Sequence, residues 1–124
     1  MAKNTAYLEF LLDWLSPLGR LDSHSMFGGW AIYCEGRVFA LVAREALWLK
    51  VDDATRGRFE ELGLKAFQPF PDKPNSMSYY APPAEFYEDR DVMLEWGSAA
   101  VGVAIRAADK KKKPAKKRAQ GLKQ

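Results

Sequence analysis

Between residues 23 and 51 the sequence permits little other than an antiparallel sheet. Trp30, Ile32 and Cys34 alternate with Ala31 and Tyr33, the period of two that puts successive side chains on opposite faces of a strand. Arg37 to Ala43 is more continuously apolar, as suits a central strand buried on both faces. Leu47, Leu49 and Val51 then point one way and Trp48 and Lys50 the other. The breaks between these runs are Gly28-Gly29, Glu35-Gly36 and Arg44-Glu45. A parallel crossover needs a dozen or more residues, whereas an antiparallel hairpin needs only about two. A β-meander of about four strands follows.

The flanks read as helices and one further strand. Residues 5–16 carry Tyr7, Leu8, Leu11, Leu12, Trp14 and Leu15 at helical spacing, with Asn4 or Thr5 as the cap. Pro17 stops this helix by restricting Ser16. A second helix is expected over roughly 53–62, capped by Asp52 or Asp53, anchored by Phe59 and Leu62 and ended by Gly63. Prolines 69, 71 and 74 make 66–76 a loop, and Ser76 to Ala81 the last strand, with Tyr79 and Tyr80 on opposite faces. Residues 83–88 suit one helical turn. A third helix is expected over 91–107, with Met93, Trp96, Ala100, Val103 and Ala107 in one row. The fold class is α+β: an N-terminal helix, the meander plus one later strand, and helices packed on one face.

The charge is unevenly placed. Of 19 basic residues, eight lie in 110–124, where there is no acid; the remaining 11 face all 16 acids, a net of −5 for residues 1–109. A uniformly basic nucleic-acid-binding domain is thereby excluded. The segment 109–124 has no aromatic residue and one large apolar one, Leu122. It has too little apolar surface to offset the entropy of ordering. The expected division is a folded domain over 1–108 and a disordered Lys-rich tail over 109–124. Lys110, Lys111, Lys112, Lys113, Lys116, Lys117 and Arg118 are its candidate nucleic-acid contacts, giving affinity through phosphates without base readout.

The residues that could carry chemistry are few. Cys34 and His24 are single, so they form no disulfide and no zinc site of the usual four-ligand kind. Cys34 reads as a small buried hydrophobe and His24 as a half-exposed strand residue. Asp22-Ser23-His24-Ser25 holds the residue types of a triad, but neighbours on a strand point to opposite faces. Gly28-Gly29 lacks the other residues of a phosphate loop and reads as a hairpin turn with positive φ. Glu85, Glu88, Asp89 and Asp91 complement a helix N-terminus. Trp30, Tyr33, Trp48, Tyr79 and Tyr80 supply one core-facing set and one set for a second face. No apolar run spans a bilayer, and the setting expected is soluble, reducing and cytoplasmic. No enzyme, metal or cofactor is expected.

One ordered string of residues carries more information than its parts. Met26-Phe27-Gly28-Gly29-Trp30, Gly36, Phe39-Ala40-Leu41-Val42, Leu47-Trp48-Leu49-Lys50-Val51-Asp52 and Met77-Ser78-Tyr79-Tyr80 together resemble the N-terminal domain of the TfoX/Sxy family from about residue 8 to about residue 107. The resemblance implies a helix, an antiparallel sheet and further helices. It marks Met26, Phe27, Gly28, Gly29, Phe39, Leu49, Lys50, Met77, Ser78, Tyr79 and Tyr80 as motif residues, none catalytic. The family's best-known members regulate natural competence as coactivators with the cyclic-AMP receptor protein. They carry a second, helical domain where this chain has its basic tail, so a single-domain member is expected. The function expected is a non-enzymatic regulator or adaptor, of the transcription or competence kind, working through a protein partner such as a transcription factor, with the tail assisting on nucleic acid. The alternative is a small-ligand-binding module with a pocket between the sheet and the last helix, lined by Gly28-Gly29 and Tyr79/Tyr80.

Overall fold

The computed structural model describes residues 5–26, 29–43, 45–67 and 78–118, with side chains through residue 109. Helix α1 is Thr5–Leu15, continued by a 3-10 turn over Ser16–Leu18. The sheet follows as β1 (Leu21–Met26), β2 (Gly29–Cys34), β3 (Arg37–Ala43) and β4 (Ala46–Lys50). After α2 (Arg56–Glu61) come the short β5 (Tyr79–Tyr80), a 3-10 turn at Ala84–Tyr87 and α3 (Arg90–Arg118). The strands lie in chain order, β1-β2-β3-β4-β5, each antiparallel to the next. The expected meander and its later strand are both present.

Turn chemistry sets the register. Glu35 (φ 52°) and Gly36 (φ 84°) are both left-handed, the two-residue primed turn whose twist matches the flanking strands. Ile32 pairs with Ala40 but Tyr33 with Val38, so Phe39 is an extra residue, a β-bulge. It puts Phe39 and Ala40, consecutive in sequence, in the same core. Gly29 is needed for a different reason from the positive φ expected of the glycine pair. It is not among the described left-handed residues, and a Cβ there would overlap the Val42 carbonyl of β3.

All three helices cover one face. Leu8, Leu11 and Leu15 of α1 and Phe59 of α2 meet Ile32, Phe39, Val42, Leu47 and Leu49 of the sheet. Met93, Trp96, Ala100 and Ala104 of α3 join the same core, three of them from the helical row that the sequence predicts. Trp14 donates its indole N–H to the Phe86 carbonyl at 2.9 Å, and Arg58 lies over the Trp96 ring at 4.3 Å.

Several boundaries differ from expectation, among them the last strand, expected over Ser76 to Ala81 and observed as Tyr79–Tyr80, with residues 76 and 77 outside the described residues. Residues 53–55 form a turn before α2, because the Asp52 carboxylate accepts from the Ala54 and Thr55 N–H groups at 3.1 and 3.3 Å. Leu62 is no anchor, being 59% exposed. The helix closes with Gly63 N–H donating to Glu60 O and Leu64 N–H to Phe59 O, the C-terminal pattern that turns the next apolar residue inward. Leu64 therefore packs on the core instead. Helix α3 starts on Asp89, which accepts from the Asp91 and Val92 N–H groups as an N-cap. Its last residue in the described core is Ala104. The tail expected from residue 109 lies beyond that point; its backbone is helical through Arg118, and residues 119–124 lie outside the described residues.

Candidate functional site

The second face of the sheet is built differently from the first. Parity along the strands sends Ala31, Leu41 and Trp48 to this side, with Tyr79 and Phe67 forming a small separate cluster. Met26, Tyr33 and Val38 pack at its margin, half-buried. Residues 65–67 reach this face by pairing with the end of the sheet. Ala66 bridges Tyr80, Phe67 N–H donates to Tyr79 O at 2.9 Å, and Ala81 N–H donates to Lys65 O at 2.9 Å. The Phe67 ring then lies 5.1 Å from that of Trp48, whose indole N–H donates to Ala43 O at 3.3 Å.

Polar atoms sit among these rings. Lys50 Nζ donates to the Tyr79 hydroxyl at 3.4 Å and lies 5.1 Å from its ring centroid. Burial, and then the neighbouring Tyr33, push the Tyr79 phenol up to about 12. It stays a neutral donor and acceptor across ordinary pH. His24, exposed on β1, meets Tyr33 edge-on at 4.8 Å. The result is an aromatic floor carrying one ammonium group, an arrangement suited to contact rather than to proton transfer.

The motif residues divide between the two faces. Phe39 and Leu49 are wholly buried on the helix-covered side, and Tyr80 packs there too while its hydroxyl donates to Glu60 at 3.1 Å. Met26, Lys50 and Tyr79 lie on the second face. Ser78 is exposed, and its carbonyl accepts from Val51 N–H at 2.8 Å. Phe27, Gly28 and Met77 lie outside the described residues, as do the side chains of Lys110, Lys111, Lys112, Lys113, Lys116, Lys117 and Arg118.

Other candidates resolve into structural roles. Cys34 is buried, its thiol directed at Leu18 O at 3.7 Å, and burial raises its pKa. Asp22 and His24 share one face of β1, with Ser23 on the other, as alternation requires. Among the described residues no group of three or more His, Cys, Asp or Glu is placed to hold a metal ion. No described helix is long and apolar enough to cross a membrane. The pocket expected between sheet and last helix does not take the lining foreseen for it. Tyr79 and Tyr80 belong to opposite faces, and Gly29 abuts β3.

Sequence reasoning missed one contact that ties the site to the helices. Asp52, expected only as a cap, also accepts from Arg106 Nε at 2.8 Å. This hydrogen bond, ahead of the turn N–H groups, holds the Asp52 carboxyl below its ordinary value. A separation of 54 residues leaves no local signal for such a pair.

Fold and surface together define the class: a small α+β domain whose single meander sheet is roofed by helices on one side and offers an aromatic face on the other. The family model for the TfoX N-terminal domain matches residues 13–104, and the chain belongs to that family. It is also 35% identical over 60 residues to the DNA transformation protein TfoX1 of Aliivibrio fischeri. That stretch is 48% of this chain but 29% of the relative's length.

Proposed function

We propose that this protein is a competence-type regulatory adaptor, docking on a protein partner through its folded body and drawn to nucleic acid by its basic segment. The family match over residues 13–104 carries the reading, because it takes in nearly the whole folded body. The name of the relative in Aliivibrio fischeri, a DNA transformation protein, supports the competence setting. The charge division supports the split of labour. An acidic body of net −5 repels phosphate, and the eight basic residues of 110–124 attract it.

The two halves of the proposal separate experimentally. If all eight basic residues meet phosphates, duplex binding falls with salt at a log–log slope of about −7. A full-length variant with Lys110–Lys113, Lys116, Lys117 and Arg118 changed to Gln should lose most of that binding in a mobility-shift titration. Equal, negligible binding by both proteins at low salt would remove the nucleic-acid half. Affinity capture from the protein's own cells, with and without nuclease, tests the other half. A stoichiometric partner that survives nuclease is the expected result, and loss of every partner with nuclease is the adverse one.

A further inference from the structure

Helix α1 carries two unlike stripes. Leu8, Leu11 and Leu15 face the core. Phe10 follows Leu8 by two positions, which puts it nearly opposite on a helix of 3.6 residues per turn, and it is 45% exposed. Its ring stacks with those of Tyr7 and Trp14, at 6.3 and 6.5 Å with interplanar angles of 23° and 8°. Tyr7 and Trp14 are half-buried and tie this aromatic strip to the core. Trp14 also ties it to the 3-10 turn at Ala84–Tyr87, through the Phe86 carbonyl.

Carboxylates border the strip. Glu9 and Asp13, four apart on α1, are exposed on one side of Phe10, and Glu85 and Glu88 are exposed at the turn that Trp14 meets. None of the four is in an ion pair among the described residues, and residues 5–18 and 84–89 contain no Lys or Arg. The helix itself gains nothing from Glu9 and Asp13. Like charges four apart repel, and Asp13 sits in the last turn, where the dipole disfavours an anion. A cation docked on the strip offsets both effects. The molecule satisfies the same chemistry internally at Arg58, which lies over the Trp96 ring at 4.3 Å and donates to Glu95 at 2.7 Å.

We propose that the strip docks the basic segment 110–124 of a second copy of this chain. Eight basic residues and no acid make that segment the complement of an acidic, aromatic surface, through ion pairs and through cations over the exposed ring. The course of α3 makes the contact intermolecular. α3 begins just after the turn that meets α1, and by Arg106 it has reached Asp52, beyond β4. Its backbone stays helical to Arg118, about 21 Å past Ala104 at 1.5 Å per residue. That course leads the segment away from its own α1 and towards another molecule. The same residues attract phosphate, so nucleic acid and the second copy compete for them. The contact does not depend on nucleic-acid binding and is tested without nucleic acid, so either reading can fail alone.

Sedimentation velocity on the full-length protein at low salt, over a concentration series, tests it. The expected result is reversible association of 14.0 kDa chains that high salt abolishes by screening. Glu9→Lys/Asp13→Lys should abolish association, and Phe10→Ala should weaken it about threefold. These positions are exposed, so the circular dichroism spectrum should be unchanged. The variant with Lys110–Lys113, Lys116, Lys117 and Arg118 changed to Gln should be monomeric. Each of the two charge variants keeps the half that the other lacks, so mixing them should give a heterodimer through one contact. A wild-type protein that stays monomeric at low salt and its highest soluble concentration overturns the inference. So does association that Glu9→Lys/Asp13→Lys or the Gln variant leaves unchanged, or a mixture that fails to associate.

Discussion

The two faces of the sheet teach different lessons about one family signature. On the helix-covered face, Phe39, Leu47 and Leu49 are fully buried beneath three helices, and polar groups such as the Trp14 indole and the Tyr80 hydroxyl lie at the margin of that core. On the other face the cover that the described residues supply to the five-residue cluster is the segment 65–67, and Lys50, the Tyr79 hydroxyl and the Trp48 indole mix polar atoms into it. The first face holds the domain together. The second is where a motif residue such as Lys50 has a chemical identity that packing alone does not require. A residue string shared across a family thus combines a folding requirement with a surface requirement, and only the structure separates them.

Substitutions measure how far this contrast goes. Phe39→Ala should cost about 3–5 kcal/mol, since a wholly buried ring leaves a cavity the helices cannot close. Trp48→Ala on the second face should cost about 2 kcal/mol, because its small cluster can collapse around the gap. Urea unfolding monitored by circular dichroism decides the matter; equal losses would end the distinction between the faces. Gly29→Ala, at the hairpin that serves both faces, should cost about 1–3 kcal/mol, as β2 must move off the Val42 carbonyl. Tyr79→Phe should change stability by about 0.5 kcal/mol or less, given a single long hydrogen bond to Lys50. The same variant should remove the tyrosine titration step near pH 12 in the ultraviolet spectrum.

The smallest effect expected is the most informative about pH. Asp52 and Arg106 are partly exposed, 30% and 51%, so Asp52→Asn should cost only a few tenths of a kcal/mol at neutral pH. The Asp52 carboxyl titrates below its ordinary value in the folded protein. Its contribution is therefore complete above the unfolded value and is lost as pH falls through the folded one. The stability difference between Asp52→Asn and wild type should vanish at acid pH. A difference that persists there would assign the effect to the turn at 53–55 instead.

Most of the helix-covered face was legible because its signals are periodic. The row Met93, Trp96, Ala100 and Val103 and the alternation of β2 and β4 survive into the structure as buried sets. The bulge was not legible: an extra residue at Phe39 reads, in sequence, only as a strand apolar throughout. Leu62 misleads because α2 ends at Glu61, and it is past the reversal at Gly63 that an apolar residue, Leu64, turns inward. The second face was half legible. Trp48 and Lys50 announce it by alternation, but Phe67 comes from a segment whose prolines suggest only a loop. Its place on Trp48 follows from the Ala66–Tyr80 bridge, a contact between residues 14 apart in a stretch without strand pattern.

The chain-order sheet has a consequence for the protein while it is being made. Each strand needs only its predecessor, so β1 through β4 can assemble from neighbouring segments, the fast route for short-range contacts. The helix that covers most of their apolar face, however, begins at Arg90 and is packed only to Ala104. During synthesis a sheet with Phe39, Val42, Leu47 and Leu49 on one side therefore waits for its cover until the last part of the body has left the ribosome. Through that interval the nascent protein presents the surface that chaperones bind, and a substitution that weakens α3 should lower soluble yield more than it lowers the stability of protein that has already folded.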